Sequence, residues 1–96
     1  MKEIAMSKKT VKFSKEKISN LPNNKPVVYK ILTENDSNNY TGIAKKGRVQ
    51  DRIIEHIGEI PGSKVQIEQF SSIKDAQEKE SNIISRAQPK YNKKGK

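Results

Sequence analysis

The segment from Ile73 to Ala87 carries the strongest periodic pattern in the chain and predicts an amphipathic helix. Its apolar residues share one helical stripe and are Ile73, Ala76, Ile83 and Ala87. Glu80 falls in the middle of this stripe. Burying an ionised carboxylate is costly unless a cation or hydrogen-bond donors meet it. The pattern therefore predicts a cleft or a positive group opposite Glu80; a partly exposed glutamate paired with a lysine is the alternative.

Charge and size limit what such a chain can do. Its 96 residues suffice for one modest core but not for two domains. Only 31% of the residues are hydrophobic, and 20 Lys and Arg against 11 Asp and Glu give a net charge of +9. A positive surface of this kind favours polyanions, and nucleic acid is the obvious partner. The alternative is a basic composition that reflects codon usage alone.

Cysteine usage and hydropathy indicate the compartment. The chain has no cysteine, which excludes disulfides and thiolate metal sites and agrees with a reducing cytoplasm. No apolar run approaches the length of a membrane span, and the first six residues lack the apolar centre of a signal peptide. We therefore expect a soluble, cytoplasmic protein that does not bind membranes.

The first half of the chain predicts a short helix and a β-hairpin. Residues 1–12 are polar and lysine-rich, so we expect a flexible basic arm. Ser14 can cap a short helix that ends near Ile18. Two β-branched and aromatic runs, 27–33 and 40–43, flank a loop dense in Asn, Asp and Ser. This arrangement is typical of a hairpin.

The second half predicts a helix, a strand and the helix of Glu80. Between residues 44 and 57, Val49, Ile53 and Ile57 recur at helical spacing, with a parallel polar stripe made of Arg48, Arg52 and His56. A third strand follows around residues 65–70. Ser71 or Ser72 then caps the last helix, and Pro89 ends it. We predict an α+β fold in the order α-β-β-α-β-α, with a small three-stranded antiparallel sheet, one domain over residues 13–92 and a basic tail at 93–96.

Two tyrosines are placed to act together. Tyr29 and Tyr40 share a face of the hairpin if the register pairs odd with even positions. Two adjacent phenols beside a basic helix could bind or activate a water next to a phosphate. Ordinary packing of strand tyrosines is the simpler alternative.

The order of these pieces carries more information than any one of them. The ordered pieces are Val27–Tyr29, Tyr40–Gly42, Arg52 with His56, Glu80–Ile84 and Pro89–Asn92. As a set they resemble the GIY-YIG endonuclease family over roughly residues 21–92. The likeness is greatest to small stand-alone members and to the N-terminal nuclease domain of the bacterial excision-repair incision subunit. The resemblance implies the GIY-YIG fold and a phosphodiesterase activity.

Two departures from the family pattern concern particular positions. Val27 stands where the family usually has glycine, which permits a close backbone approach. The stretch after Gly42 is about two residues longer than usual, so that Arg48 and Arg52 compete for the catalytic place. Arg52 is preferred because its four-residue separation from His56 matches the family pairing, whereas Arg48 near the helix start suits a phosphate contact.

The resemblance implies a role for each matching residue. Glu80 would be the ligand of one divalent ion, Mg²⁺ or Mn²⁺, since one carboxylate with waters and phosphate oxygens commonly holds Mg²⁺. Tyr29 would act as general base or position the attacking water, with nearby cations favouring its phenolate. Tyr40 would orient the water or the phosphate, and Gly42 would let the backbone pass close to both.

The remaining roles concern charge and substrate. Arg52 would stabilise the charge of the transition state by a bidentate contact. His56, the only histidine, would assist proton transfer or hold a phosphate, against the alternative of a structural or exposed side chain. Asn92 would fix the site from the C-terminal side. Lys45 and Arg48 would contact substrate phosphates.

These inferences lead to one principal hypothesis and two alternatives. The principal one is a metal-dependent endonuclease acting on nucleic acid, DNA in preference to RNA. The first alternative is a catalytically inactive nucleic-acid-binding module of the same fold. The second is a small basic adaptor for an acidic protein. Because no separate reader of sequence follows the domain, specificity would come from loops, the arm, a homodimer or a protein partner.

Overall fold

Four strands and three helices make up residues 7–92, the part of the chain that the computed structural model describes. In chain order they are β1 (Ser7–Lys12), α1 (Lys15–Ile18), β2 (Val27–Leu32), β3 (Asn38–Ala44), α2 (Val49–Ile54), β4 (Lys64–Gln69) and α3 (Ile73–Ala87). The predicted α+β class is confirmed. The predicted tail at 93–96 lies outside the described residues.

The sheet is antiparallel throughout, and β2 lies at its interior. The strand order is β1-β4-β2-β3, so that β2 pairs with β4 on one side and with β3 on the other. Tyr29 of β2 lies opposite Gly42 of β3 and Ile67 of β4. The hairpin of β2 and β3 agrees with the sequence, and its register places the middle of β2 between two neighbouring strands.

The predicted three-stranded sheet and its element order are wrong, because a fourth strand precedes them. Ser7–Lys12, expected to belong to a flexible arm, pairs with β4 along its length as β1. Val11 is partly buried against the core, whereas Lys8, Lys9 and Lys12 are exposed. Lysines on an edge strand discourage pairing with other chains. The same lysines give the segment the composition of a flexible arm, so the sequence did not predict a strand here. Residues 1–6 of the expected arm lie outside the described residues.

Two clusters of buried residues cover the two faces of the sheet. The α2 face, which α1 and α2 cover, buries Ile18, Leu21, Val27, Tyr29, Ile31, Ala44, Val49, Ile53, Ile60, Val65 and Ile67. The α3 face buries Val28, Phe70 and Ala76, with Ile43 and Ile83 packed against them. Because side chains alternate along a strand, Tyr29 points to the α2 face and Val28 and Lys30 point to the α3 face.

Helix α2 is shorter than the sequence predicts. The expected helix from 44 to 57 is reduced to Val49–Ile54, and Ile57 is 40% exposed. A side chain from a distant loop stabilises the start of the helix. Asn23 Oδ1 accepts a hydrogen bond from the backbone N–H of Val49 at 2.8 Å. His56 therefore lies in the turn after α2 rather than on a continuous helical stripe with Arg48 and Arg52.

Helix α3 matches its predicted start and end. Ser72 accepts a hydrogen bond from the backbone N–H of Asp75 at 3.2 Å and caps the helix. The helix ends at Ala87, followed by Gln88 in the left-handed region with φ 46° and then by Pro89. None of the helices within residues 7–92 is long and apolar enough to span a bilayer.

Candidate active site

The lack of a side chain on Gly42 of the neighbouring strand leaves room for the ring of Tyr29. Its side chain is completely buried on the α2 face of β2. A Cβ added to Gly42 would lie 2.5 Å from both Cζ and Oη of the Tyr29 ring. Only glycine therefore lets this ring lie across β3 without displacement. The close approach predicted for Gly42 concerns the tyrosine ring itself.

The hydroxyl of Tyr29 is hydrogen-bonded to the only histidine. Tyr29 Oη lies 2.8 Å from His56 Nε2, and His56 Nδ1 lies 3.4 Å from Glu59 Oε1. A carboxylate can only accept, so the proton of the neutral ring belongs on Nδ1. Nε2 is then left as the acceptor for the Tyr29 hydroxyl. The arrangement forms a chain from a buried phenol through an imidazole to a carboxylate that is 69% exposed.

Tyr40 completes an aromatic cluster around His56. Its ring centroid lies 4.6 Å from that of His56 and 6.1 Å from that of Tyr29. Tyr40 is half-buried, so its ring reaches the surface where Tyr29 does not. The prediction that the two phenols share a face of the hairpin is confirmed.

Arg52 and Glu80 bring opposite charges to the phenols. Burial raises the pKa of Glu80, and the guanidinium of Arg52 lowers it, with burial the larger effect. Burial likewise raises the pKa of Tyr40, while Arg52 lowers it and Glu80 raises it. The carboxylate from α3 and the guanidinium from α2 are therefore close enough to the aromatic cluster to shift the pKa of its phenols.

The pKa of Tyr29 moves against the direction expected from its cationic neighbours. Burial raises it well above that of a free phenol, and the adjacent Tyr40 raises it further. Arg52 acts in the opposite direction but is outweighed. The sequence indicated a positive surrounding yet not the complete burial of the ring. Without a further positive charge, Tyr29 is a neutral phenol whose proton faces His56.

Glu80 has the chemistry of a single carboxylate ligand for a hard divalent ion. It forms no hydrogen bond or ion pair with any residue of the described range 7–92, so its oxygens remain available. The same range contains no group of three or more His, Cys, Asp or Glu side chains that could hold a metal. Mg²⁺ is commonly held by one or two carboxylates together with waters and substrate phosphates. The donor set therefore fits that ion.

The candidate phosphate contacts lie in a groove between the end of β3, helix α2 and the start of helix α3. This groove has a volume of about 300 Å³ and is lined by Ile43, Ala44, Lys45, Arg48, Arg52, Ile73 and Gln77. Lys45 and Arg48 are exposed, and Arg48 Nε lies 3.8 Å from Asp51. Arg52 lines the groove and also acts on the phenols. Arg52 is therefore the residue that connects this groove with the aromatic cluster.

Both polar atoms of the Asn92 amide are hydrogen-bonded to the backbone of β3. Its Oδ1 accepts from Thr41 N at 2.7 Å, and its Nδ2 donates to Thr41 O at 2.9 Å. Tyr91 N also donates to Asn39 O at 2.8 Å. The side chain thus replaces a paired strand at the edge of the sheet. It fixes Tyr40 and Gly42, which flank Thr41, from the C-terminal side.

One member of the cluster was missed in the sequence. Glu59 contacts His56 at a spacing of three residues. A His-x-x-Glu spacing on one turn would have pointed to this pair, but it is common in helices and turns. Asn23, which caps α2 from a distant loop, had no signal in the sequence because the contact spans 26 positions.

Neither protein-family models nor curated protein sequences match this chain. The chemistry that the site can perform therefore depends on the residues present. They comprise a phenol with an adjacent proton acceptor, a second phenol at the surface, a guanidinium and an unpaired carboxylate.

Proposed function

We propose that the protein is a metal-dependent endonuclease of GIY-YIG type that hydrolyses phosphodiester bonds in nucleic acid, DNA in preference to RNA. One observation carries the proposal: the side chains of Tyr29, Tyr40 and His56 form a cluster within electrostatic range of two charged groups from other elements. These groups are Arg52 of α2 and Glu80 of α3. The net charge of +9 supports a polyanionic substrate.

Proton transfer would use the Tyr29–His56 pair. A buried neutral phenol cannot act as a base by itself, because its raised pKa keeps the hydroxyl protonated. It can take a proton from the attacking water if its own proton passes to His56 Nε2, which lies 2.8 Å away. Glu59 favours the ring tautomer that leaves Nε2 open. The two side chains would thus act as a relay.

Arg52 would stabilise the negative charge on the phosphate directly, and Glu80 would do so through the divalent ion that it holds. The guanidinium of Arg52 can contact two phosphate oxygens at once. Glu80 would hold the divalent ion, Mg²⁺ or Mn²⁺, which neutralises charge that develops on the phosphate and the leaving oxygen. Tyr40 would orient the water or the phosphate, and Lys45 and Arg48 would hold the neighbouring backbone without reading sequence.

Two observations favour a second candidate function. The raised pKa of Tyr29 agrees with a phenol that takes no part in proton transfer as well as with a relay. The same fold could therefore bind nucleic acid without cleaving it. Val27, at the usual glycine position, is completely buried in the core of the α2 face. A non-catalytic module would show salt-sensitive binding and no cleavage.

The test is the nicking of supercoiled plasmid by the purified protein with Mg²⁺ or Mn²⁺. Wild type is expected to cleave, and Glu80→Gln is expected to lose activity by at least about 100-fold. Glu78→Gln is the matched control, because Glu78 is an exposed acid two residues earlier on α3. Equal cleavage by wild type and Glu80→Gln excludes the metal role. Salt-sensitive binding without cleavage by wild type establishes the second candidate instead, and a parallel RNA substrate decides the class of nucleic acid.

A further inference from the structure

A second basic pocket lies on the opposite face of the sheet from Tyr29. This α3 pocket has a volume of about 370 Å³ and is lined by Lys30, Asn38, Lys79, Asn82, Ile83, Arg86 and Ala87. Lys30 follows Tyr29 in β2, so that its side chain points to the α3 face. The sheet therefore separates the α3 pocket from the aromatic cluster.

The charges lining the α3 pocket are all positive. Three of its seven lining residues are cations, Lys30, Lys79 and Arg86, and none is an acid. On α3 the lining residues Lys79, Asn82, Ile83 and Arg86 recur at helical spacing and form one stripe. Glu80 lies at the margin of this stripe, on the side that faces the charge of Arg52 and the phenols. Helix α3 thus presents an acid to one site and cations to the other.

The pocket also offers polar and apolar surfaces that an inorganic anion does not need. Asn38 Nδ2 donates to Thr41 Oγ1 at 2.8 Å, while its Oδ1 is buried without a partner among the described residues. An unpaired buried acceptor is costly, and a rotation of the Asn38 side chain toward the pocket would let a ligand N–H relieve that cost. Ile83 and Ala87 add an apolar wall. A volume of about 370 Å³ lies in the range of small-molecule sites and far exceeds that of a phosphate ion.

We propose that the α3 pocket binds a nucleotide unit. The phosphate lies against Lys30 and the guanidinium of Arg86, and the base packs on Ile83 and Ala87 with its polar edge toward the amide of Asn38. The nucleotide comes either from a free mononucleotide or from a nucleic-acid strand that passes over this face. The proposal goes beyond cleavage, since it requires neither the aromatic cluster nor a metal ion.

Binding titrations of the full chain in EDTA test this proposal. The probes are AMP, a ten-nucleotide single strand and inorganic phosphate, each at low salt. Lys30→Gln and Arg86→Gln are expected to weaken nucleotide or oligonucleotide binding about tenfold, the effect of losing a charged phosphate contact. Lys74→Gln, an exposed lysine of α3 outside the pocket, is the matched control, with a change below about twofold. Circular dichroism verifies that each variant is folded.

The outcomes distinguish a free mononucleotide from a bound nucleic-acid strand, and they also define the results that contradict the proposal. Loss of AMP binding in both pocket variants identifies a free nucleotide site, and loss of oligonucleotide binding alone identifies a contact with the strand. Two results overturn the proposal: pocket variants that behave like Lys74→Gln, or inorganic phosphate that binds as tightly as either nucleotide probe. Because no cleavage is measured, failure here is distinguishable from failure of the endonuclease proposal.

Discussion

The two faces of the sheet differ in how tightly they hold their polar groups. Among the described residues, the α2 face buries eleven in one cluster and the α3 face buries three. The large core fixes a phenol hydroxyl 2.8 Å from an imidazole nitrogen. The small core leaves a basic pocket of about 370 Å³ open beside α3. Proton transfer needs fixed geometry, whereas capture of an anion by long cationic side chains tolerates movement.

The sharpest test of this difference uses two neighbours in β2 that point to opposite faces. Tyr29→Phe removes the hydroxyl of the relay, so the single-turnover cleavage rate is expected to fall about 10³-fold, within the range for general acid–base catalysis. The dissociation constant for DNA should change less than about twofold, because Tyr29 is buried. Lys30→Gln is expected to raise that constant about tenfold when the nucleotide in the α3 pocket belongs to the bound strand. Rates at saturating DNA and binding titrations measure the two effects.

The comparison fails if the two substitutions have the same profile. A rate loss of about 10³-fold for Lys30→Gln at saturating DNA would place the α3 pocket within the catalytic machinery. Weakened binding by Tyr29→Phe of the size expected for Lys30→Gln would mean that the phenol contacts substrate in its ground state.

The next largest effect concerns the packing of the α2 face. Gly42→Ala puts a Cβ 2.5 Å from the Tyr29 ring atoms Cζ and Oη, so the ring or the strand must shift. We expect a loss of about 2 kcal/mol in the free energy of unfolding, typical of overpacking in a core. Urea unfolding followed by circular dichroism measures it. In a Tyr29→Leu background the same substitution should cost less, because the ring is gone; an unchanged cost would locate the strain elsewhere.

How much of this fold was visible in the sequence depends on where each signal lies. The caps at Ser14 and Ser72, the hairpin and α3 were predictable because short-range patterns specify them. Strand β1 was not, since a lysine-rich strand without apolar alternation resembles a polar arm. Helix α2 was predicted too long, because Ile57 continues the apolar spacing but is 40% exposed.

The site divides in the same way. That Tyr29 and Tyr40 share a face follows from strand parity once the register pairs odd with even positions, as it does in this hairpin. The contact of Asn92 with Thr41 spans 51 positions, and no local pattern indicates it. The raised pKa of Tyr29 arises from complete burial, which depends on how α2 and the turn with His56 pack on the sheet. Residue types suggest which groups take part, and packing decides their protonation.

A smaller effect is expected where the two faces meet, at the edge of β3. Asn92→Ala removes both hydrogen bonds to Thr41 and leaves its backbone groups without these partners. We expect a loss of about 1–2 kcal/mol in the free energy of unfolding. Asn82→Ala is the matched control, because Asn82 is an exposed amide on α3 and should change stability by less than about 0.5 kcal/mol. Equal effects in urea unfolding would show that the amide of Asn92 does not stabilise the edge.

The smallest effect has the opposite sign and comes from Glu80, which lies on α3 but acts toward the α2 face. Burial raises its pKa above the usual value, so the folded state prefers the protonated form. Its contribution to stability is therefore complete below the unfolded pKa and is lost as the pH rises through the folded pKa. At pH 7 the ionised carboxylate is destabilising, and Glu80→Gln should raise the free energy of unfolding.

The gain should be small because Glu80 is only half-buried and water screens its charge. We expect roughly 0.5 kcal/mol at pH 7 for Glu80→Gln, and the difference from wild type should narrow as the pH falls toward 4 and the wild-type carboxyl becomes neutral. Urea unfolding of both proteins at several pH values measures it. A variant that is both more stable and inactive identifies a carboxylate retained for function at the expense of stability. A variant that is less stable than wild type at pH 7 would mean that the attraction of Arg52 exceeds the cost of burial.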